Sequence, residues 1–210
     1  MNIIKLENYY SSENTYIVYD ALSKEGVVID PGIDALKIKE KADSEGIKIK
    51  YILITHCHYD HIQYLEELRK ITSAPLACGK WASVNIGEPA INASYMGLGY
   101  EICAKGAEII LNDGDCLELG ESEIKCVYTP GHTNCGVCYI ADNDIFSGDT
   151  LFLRNCGRWD LPTGDENTLK RSIREVLYKL GDDMTVYPGH GDKTSIGYEK
   201  KFNFFVPEND

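Results

Sequence analysis

The stretch Tyr51-Ile52-Leu53-Ile54-Thr55-His56-Cys57-His58-Tyr59-Asp60-His61 decides how this chain is read. Residues 51–54 form a continuous apolar run, as expected of a strand buried on both faces of a sheet. Helical spacing follows Asp60, with Ile62, Leu65, Leu68 and Ile71 on one side and Glu66, Glu67, Arg69 and Lys70 on the other. The histidines therefore occupy a loop at the C-terminal end of a buried strand, just before a helix. On such a loop His56 and His58, two residues apart, can point at one ion, while Asp60 and His61 turn toward a second position at the helix start. Imidazole and carboxylate together suit Zn²⁺ and can also hold Fe or Mn.

The remaining histidines extend this pattern. His132 lies in Pro130-Gly131-His132-Thr133 and His190 in Pro188-Gly189-His190-Gly191, so all five histidines of the chain fall in such loops. A lone histidine is usually a satisfied core or surface residue. Five placed at strand ends and turns point instead to one metal centre. Asp149, in Ser147-Gly148-Asp149-Thr150, also ends a strand and offers two oxygens with which to bridge two ions. Taken singly it would be a turn residue or a helix cap.

Working outward, residues 3–6, 16–19 and 27–29 are short β-prone runs, and Asp30-Pro31-Gly32 stops the third. Ala35, Ile38 and Ala42 give residues 35–45 a helical period, with Gly46 suited to the C-terminal cap. Residues 79–106 show no period and read as either a binding loop or lid or a surface excursion. Strand-like runs follow at 123–128, 137–140 and 144–147, then an amphipathic helix over 168–180 with Leu169, Ile173, Val176, Leu177 and Leu180 on one face, and a last strand at 185–187. No repeat or linker divides the 210 residues, so a single α/β domain over 1–210 is expected.

Composition narrows the function classes. Hydrophobic residues make up 43% and charged residues 26%, an ordinary globular mix. The formal net charge of −12 opposes a phosphate backbone, so no nucleic-acid partner is expected. No apolar stretch is long enough for a membrane span, and Met1-Asn2-Ile3-Ile4-Lys5-Leu6-Glu7 does not read as an export signal. A cytoplasmic protein with no membrane partner is the expectation, its eight cysteines reduced. Cys135-Gly136-Val137-Cys138 is one C-x-x-C with no second pair to close a zinc site, and reads as an ordinary strand start.

His56, His58, Asp60 and His61 in an H-x-H-x-D-H run, His132 in TPGHT, Asp149 in GDT and His190 in YPGHG together resemble the metallo-β-lactamase fold hydrolases. Thr150-Leu151-Phe152 and Gly157-Arg158-Trp159-Asp160-Leu161-Pro162-Thr163-Gly164-Asp165 are similar to the glyoxalase II (hydroxyacylglutathione hydrolase) branch, in its short, single-domain bacterial form. The resemblance implies a four-layer αββα sandwich and two divalent ions per chain, Zn first, with Fe or Mn as alternatives. It puts His56, His58 and His132 on one ion, Asp60, His61 and His190 on the other, and Asp149 between them. Such a pair can hold a hydroxide that attacks an acyl carbonyl. The implied partner is a small acyl substrate, a thioester in the first place, because a thiolate leaves without needing much protonation.

Around these ligands, Asp30 is either a turn-former before Pro31 or the acceptor of a ligand histidine's free N–H. Arg158 and Asp160 brace the site or meet substrate, or pair with each other structurally; Tyr59 and Lys193 flank ligands and are candidate substrate contacts. Two departures stand out. Gln63-Tyr64 replaces the two glycines that many relatives carry after H-x-H-x-D-H, and the twenty residues after His190 leave no room for the C-terminal helical region with which full-length glyoxalase II binds glutathione. Rival chemistries on the same motifs are lactone or lactam hydrolysis and a mononuclear iron persulfide dioxygenase. Metal count separates the last from a hydrolase.

Overall fold

The central strands of each of two sheets are buried along nearly their whole length, whereas outer strands alternate buried and exposed residues, and this sets the layering. The computed structural model describes residues 1–208. The first sheet comprises β1 (Asn2–Glu7), β2 (Asn14–Tyr19), β3 (Glu25–Ile29), β4 (Lys48–Leu53), β5 (Leu76–Gly79) and β6 (Ile109–Leu111), hydrogen-bonded in that order. β1 to β3 are antiparallel, and β3 to β6 are parallel. The crossovers between the parallel strands carry α1 (Ala35–Ser44), α2 (Tyr59–Ile62), α3 (Leu65–Thr72), α4 (Lys80–Asn85), α5 (Pro89–Asn92) and α6 (Ser94–Leu98). Asp34 caps α1 by accepting from the Leu36 and Lys37 amides.

The second sheet runs in the order β14-β13-β10-β9-β8-β7: β7 (Cys116–Leu119), β8 (Ser122–Tyr128), β9 (Val137–Ala141), β10 (Asp144–Gly148), β13 (Thr185–Pro188) and β14 (Thr194–Ser195). A small hairpin, β11 (Leu151–Phe152) with β12 (Asn155–Cys156), follows β10. α7 (Glu166–Arg171) and α8 (Ile196–Phe202) complete the chain.

Three apolar clusters fill the spaces between layers. Ile17, Val28, Ile52 and Leu76 pack under Ile38, Ala42, Leu65 and Leu68 of α1 and α3. Between the sheets, Tyr16, Val18, Val27, Ile29 and Leu53 meet Val137, Tyr139 and Phe146. On the far side Cys138, Ile145 and Val186 meet Leu169, Ile173, Leu177 and Ile196. Helices thus cover both outer faces of a sheet pair, the expected αββα arrangement. No helix among the described residues is long and apolar enough to cross a membrane.

Two regions differ from expectation. Residues 79–106 are not wholly irregular: the short helices α4, α5 and α6 occupy just over half of them, and residues 99–106 carry no helix or strand. The uniform helix expected over 168–180 is α7, then a π-helical turn at Ser172–Val176 and a 3₁₀ turn at Leu177–Lys179. The wider turn rotates the apolar face, so Leu177 and Tyr178 are buried while Val176 and Leu180 are only half-buried.

Candidate metal centre

Every candidate donor sits where a strand ends. The loop after β4 carries His56 and His58, and Asp60 and His61 lie in α2 immediately beyond. His132 sits on the β8–β9 loop, Asp149 follows β10 and His190 follows β13. The two Pro-Gly-His turns need their glycines for different reasons. Gly131 has φ +138°, and a Cβ there would lie 2.2 Å from the Leu169 backbone, so the loop packs directly on α7. At Gly189 a Cβ would lie 2.4 Å from Asp149 Oδ1, inside the donor cluster itself.

The first donor set is tight. His56 Nε2 lies 3.1 Å from His58 Nδ1, which lies 2.9 Å from His132 Nε2. The second brings Asp60, His61 and His190 together, with His190 Nε2 3.3 Å from Asp60 Oδ2. Asp149 faces both: Oδ2 is 3.5 Å from His132 Nε2, while Oδ1 is 3.3 Å from His61 Nε2 and 3.7 Å from His190 Nε2.

Outer contacts settle which ring nitrogens are free. Asp30 accepts hydrogen bonds from the Thr55 amide and hydroxyl, both at 2.7 Å, and from His61 Nδ1 at 2.9 Å. With its proton given to Asp30, the Thr55 hydroxyl accepts from His56 Nδ1 at 3.1 Å. His132 Nδ1 donates to the Arg158 carbonyl at 2.6 Å. Protons on these Nδ1 atoms leave lone pairs on Nε2 of His56 and His132, both aimed at His58 Nδ1. Three nitrogens so close, with one proton at most among them, fit a cation. His61 Nε2 and Asp149 Oδ1 are buried and have no hydrogen-bond partner among the described residues, which fits a second. Soft thiolates are absent from both sets, leaving a nitrogen and oxygen donor set suited to Zn, Fe or Mn.

The electrostatics of the first donor set agree with that reading, while in the second the carboxylates hold a positive charge on His61 that a bound cation would replace. Burial, reinforced by neighbouring imidazoles, holds His56 well below the ordinary histidine range and His58 down at about 3, so both are neutral, as ligands must be. Burial opposes charge on Asp149, but His61 outweighs it, helped by His190 and His132, and the carboxyl stays well below its usual range. For His61 burial again works against charge, and Asp149, Asp30 and Asp60 prevail, raising it well above normal.

A pocket of about 510 Å³ opens over the donors, with Met96, Phe152 and Leu161 among its apolar walls. Beside it lies a second cavity of about 600 Å³ that shares only Tyr59 and Gly97 with the first. Tyr59 therefore stands where the two cavities join. Arg158 and Asp160 are exposed and form a bidentate pair at 2.7 and 2.8 Å, so the Arg158 guanidinium is engaged by Asp160 while its carbonyl braces His132. Lys193 stands apart: its Nζ lies over the Tyr187 ring, 5.9 Å from the centroid, and it lines neither cavity.

Three contributors carried no sequence signal. Thr55 and the Arg158 carbonyl are two; the third is the Glu13-Asn14 segment. The Asn14 amide donates to the Gly189 carbonyl at 2.7 Å and its side chain to Pro188 and Gly191, tying β2 to the His190 turn. Beside it Glu13 is fully buried, and burial pushes its carboxyl well above the usual range. The C-x-x-C does not act as a pair: Cys135 packs in the outer cluster, with its Sγ 3.5 Å from Cys57, whereas Cys138 faces the opposite layer beside Thr129.

Comparison with known proteins agrees with this geometry. Residues 10–190 match the metallo-beta-lactamase superfamily. The chain is 34% identical over 182 residues to the probable metallo-hydrolase YqgX of Bacillus subtilis, covering 86% of each. Among solved structures it superposes on the BLEG-1 B3 metallo-beta-lactamase with TM-score 0.91 at 32% identity, covering 98% of this chain and 99% of that one. It matches TTHA1623 in a di-iron-bound form with TM-score 0.83 at 28% identity, covering 97% and 100%. The chain belongs to the metallo-β-lactamase superfamily.

Proposed function

We propose that the protein is a binuclear metal-dependent hydrolase of small acyl compounds, thioesters foremost, as in the glyoxalase II branch. His56, His58 and His132 would hold one ion, Asp60, His61 and His190 the other, and Asp149 would bridge. One observation carries this reading: the two oxygens of Asp149 face different donor sets, Oδ2 toward His132 and Oδ1 toward His61 and His190. The metallo-hydrolase name of YqgX and the di-iron form of TTHA1623 support it.

Bound divalent ions supply Lewis acidity toward a carbonyl oxygen and lower the pKa of water. The chain's own side chains do the rest. Asp30, Thr55 and the Arg158 carbonyl orient the imidazoles, Phe152 and Leu161 present apolar surface to the acyl group, and Tyr59 meets the substrate where the two cavities join. All five histidines belong to the donor sets, so none remains as a general acid for the leaving group. A thiolate, unlike an amine, departs without one, and this favours a thioester over a lactam. We place the activity in one domain working in a reducing cytoplasm, in keeping with the eight free cysteines. A small-molecule partner suffices.

A second reading, lactam hydrolysis, draws on the likeness to BLEG-1. Turnover of S-lactoylglutathione, a lactone and a chromogenic cephalosporin by the metal-loaded protein separates the two, with Asp149→Ala as control. Thioester turnover lost in Asp149→Ala supports the proposal. A single iron with oxygen uptake on a persulfide contradicts it.

A further inference from the structure

The departure at Gln63-Tyr64 has a structural outcome next to the metal pocket. Where two glycines would leave open space, these side chains line the 600 Å³ cavity, within the roughly 300–1,000 Å³ usual for small-molecule sites. Ile33 forms part of its lining, Tyr59 and Tyr64 stand along it, and Tyr9 and Tyr10 are exposed on the β1–β2 loop at its rim. It adjoins the donor pocket through Tyr59 and Gly97. A Cβ at position 97 would lie 2.1 Å from Tyr59 Cζ, so the glycine is what lets that ring stand at the junction.

The cavity's polar groups describe an occupant. No hydroxyl of Tyr59 or Tyr64 has a partner among the described residues, so both are free to bond amide groups. Of its charged residues, Glu7 faces Lys5 at 3.5 Å and Asp34 is engaged in capping α1, whereas Lys37 has no ion-pair partner among the described residues. A hydrogen-bonding chain with an anionic end matches that set.

We propose that this groove binds the thiol half of the substrate, an extended amide-bearing arm ending in a carboxylate or phosphate, while the acyl half lies over the donor sets; this rests on the thioester reading above. Tyr64 and Lys37 are then specificity determinants that act on binding.

The test compares three thioesters of one acyl group: S-lactoylglutathione (carboxylate-ended arm), S-lactoyl-4′-phosphopantetheine (phosphate-ended arm) and S-lactoyl-N-acetylcysteamine (no arm). The KM of one armed substrate should lie well below that of the truncated one, and which arm it is identifies the anionic group. Tyr64→Phe and Lys37→Ala should each raise that KM about five-fold, the size of one hydrogen bond or one exposed ion pair, with kcat and the truncated substrate unchanged. Equal KM for all three substrates, or equal effects of the variants on the truncated one, would overturn the groove while leaving the hydrolase intact. Calorimetric binding of S-methylglutathione and S-methyl-4′-phosphopantetheine separates the two claims. If no thioester is turned over but one thioether binds and both variants weaken it, the groove stands and the thioester reading falls. If neither thioether binds, the groove falls.

Discussion

The carboxylate of Asp30 lies 2.9 Å from Nδ1 of His61, and through the Thr55 hydroxyl it also governs His56, so one side chain aligns an imidazole in each donor set. Asp30 can do this because it takes a left-handed conformation, φ +53°, just past β3, which turns its side chain toward the neighbouring β4 loop.

Removing that alignment should weaken both sites. Asp30→Ala is expected to lower metal affinity about 10- to 100-fold, the usual range for losing an outer partner of a ligand histidine. Thr55→Val should weaken only the set that contains His56. Competition against a chromogenic chelator reads both. An unchanged affinity in Asp30→Ala would show that the imidazoles are held by packing alone.

The metal-free protein should be most stable near neutral pH. His58 stays neutral in the fold down to about 3, and His56 is lowered as well, whereas both take up a proton below about 6.5 when unfolded. The unfolded state then binds more protons, and stability falls as pH drops from about 6.5 toward 3. His61 and His190 are raised in the fold, so their contribution is complete below about 6.5 and is lost as pH rises through their folded values. Urea melts of chelator-treated protein at several pH values should give a dome, and a curve rising steadily toward acid would contradict these assignments.

Phe146 is fully buried between the sheets, 5.2 Å from the Tyr16 ring and 5.4 Å from Tyr187. Phe146→Ala should cost about 3–5 kcal/mol, as large-to-small changes in a well-packed core do. Chemical denaturation of the metal-free protein measures it, and a loss below about 1 kcal/mol would mean that the two sheets pack loosely there.

Gly131→Ala should be disruptive out of proportion to one methyl group. Its φ of +138° is closed to other residues, and the added carbon would meet the Leu169 backbone at 2.2 Å. We expect a stability loss of at least about 1–3 kcal/mol together with weaker metal binding, because His132 follows directly. Wild-type metal affinity in this variant would show that His132 is positioned from elsewhere.

The candidate donors that the fold gathers stand out in the sequence because each follows an apolar run or a Pro-Gly turn, so their residue types and strand ends appear together. Asp30 was legible as one of two alternatives, since an Asp before Pro31 forms turns anyway. What escaped was too short or too indirect. Helices α4 to α6 are four to six residues each, less than two turns, and β6 spans three residues, so no period accumulates. The strand read at 51–54 spans Lys48–Leu53 in the structure, because backbone pairing with β3, Glu25 with Lys48 and Gly26 with Ile49, extends it into polar residues that show no apolar run. The brace on His132 is a backbone carbonyl, which any residue at 158 could supply, so the prominence of Arg158 pointed to its guanidinium instead.

The most direct test is elemental analysis of the purified protein beside Asp149→Ala. Two divalent ions per chain in the wild type, fewer in the variant, and hydrolysis of S-lactoylglutathione only by the former are the predicted results. One ion per chain in both proteins would contradict a centre bridged by Asp149.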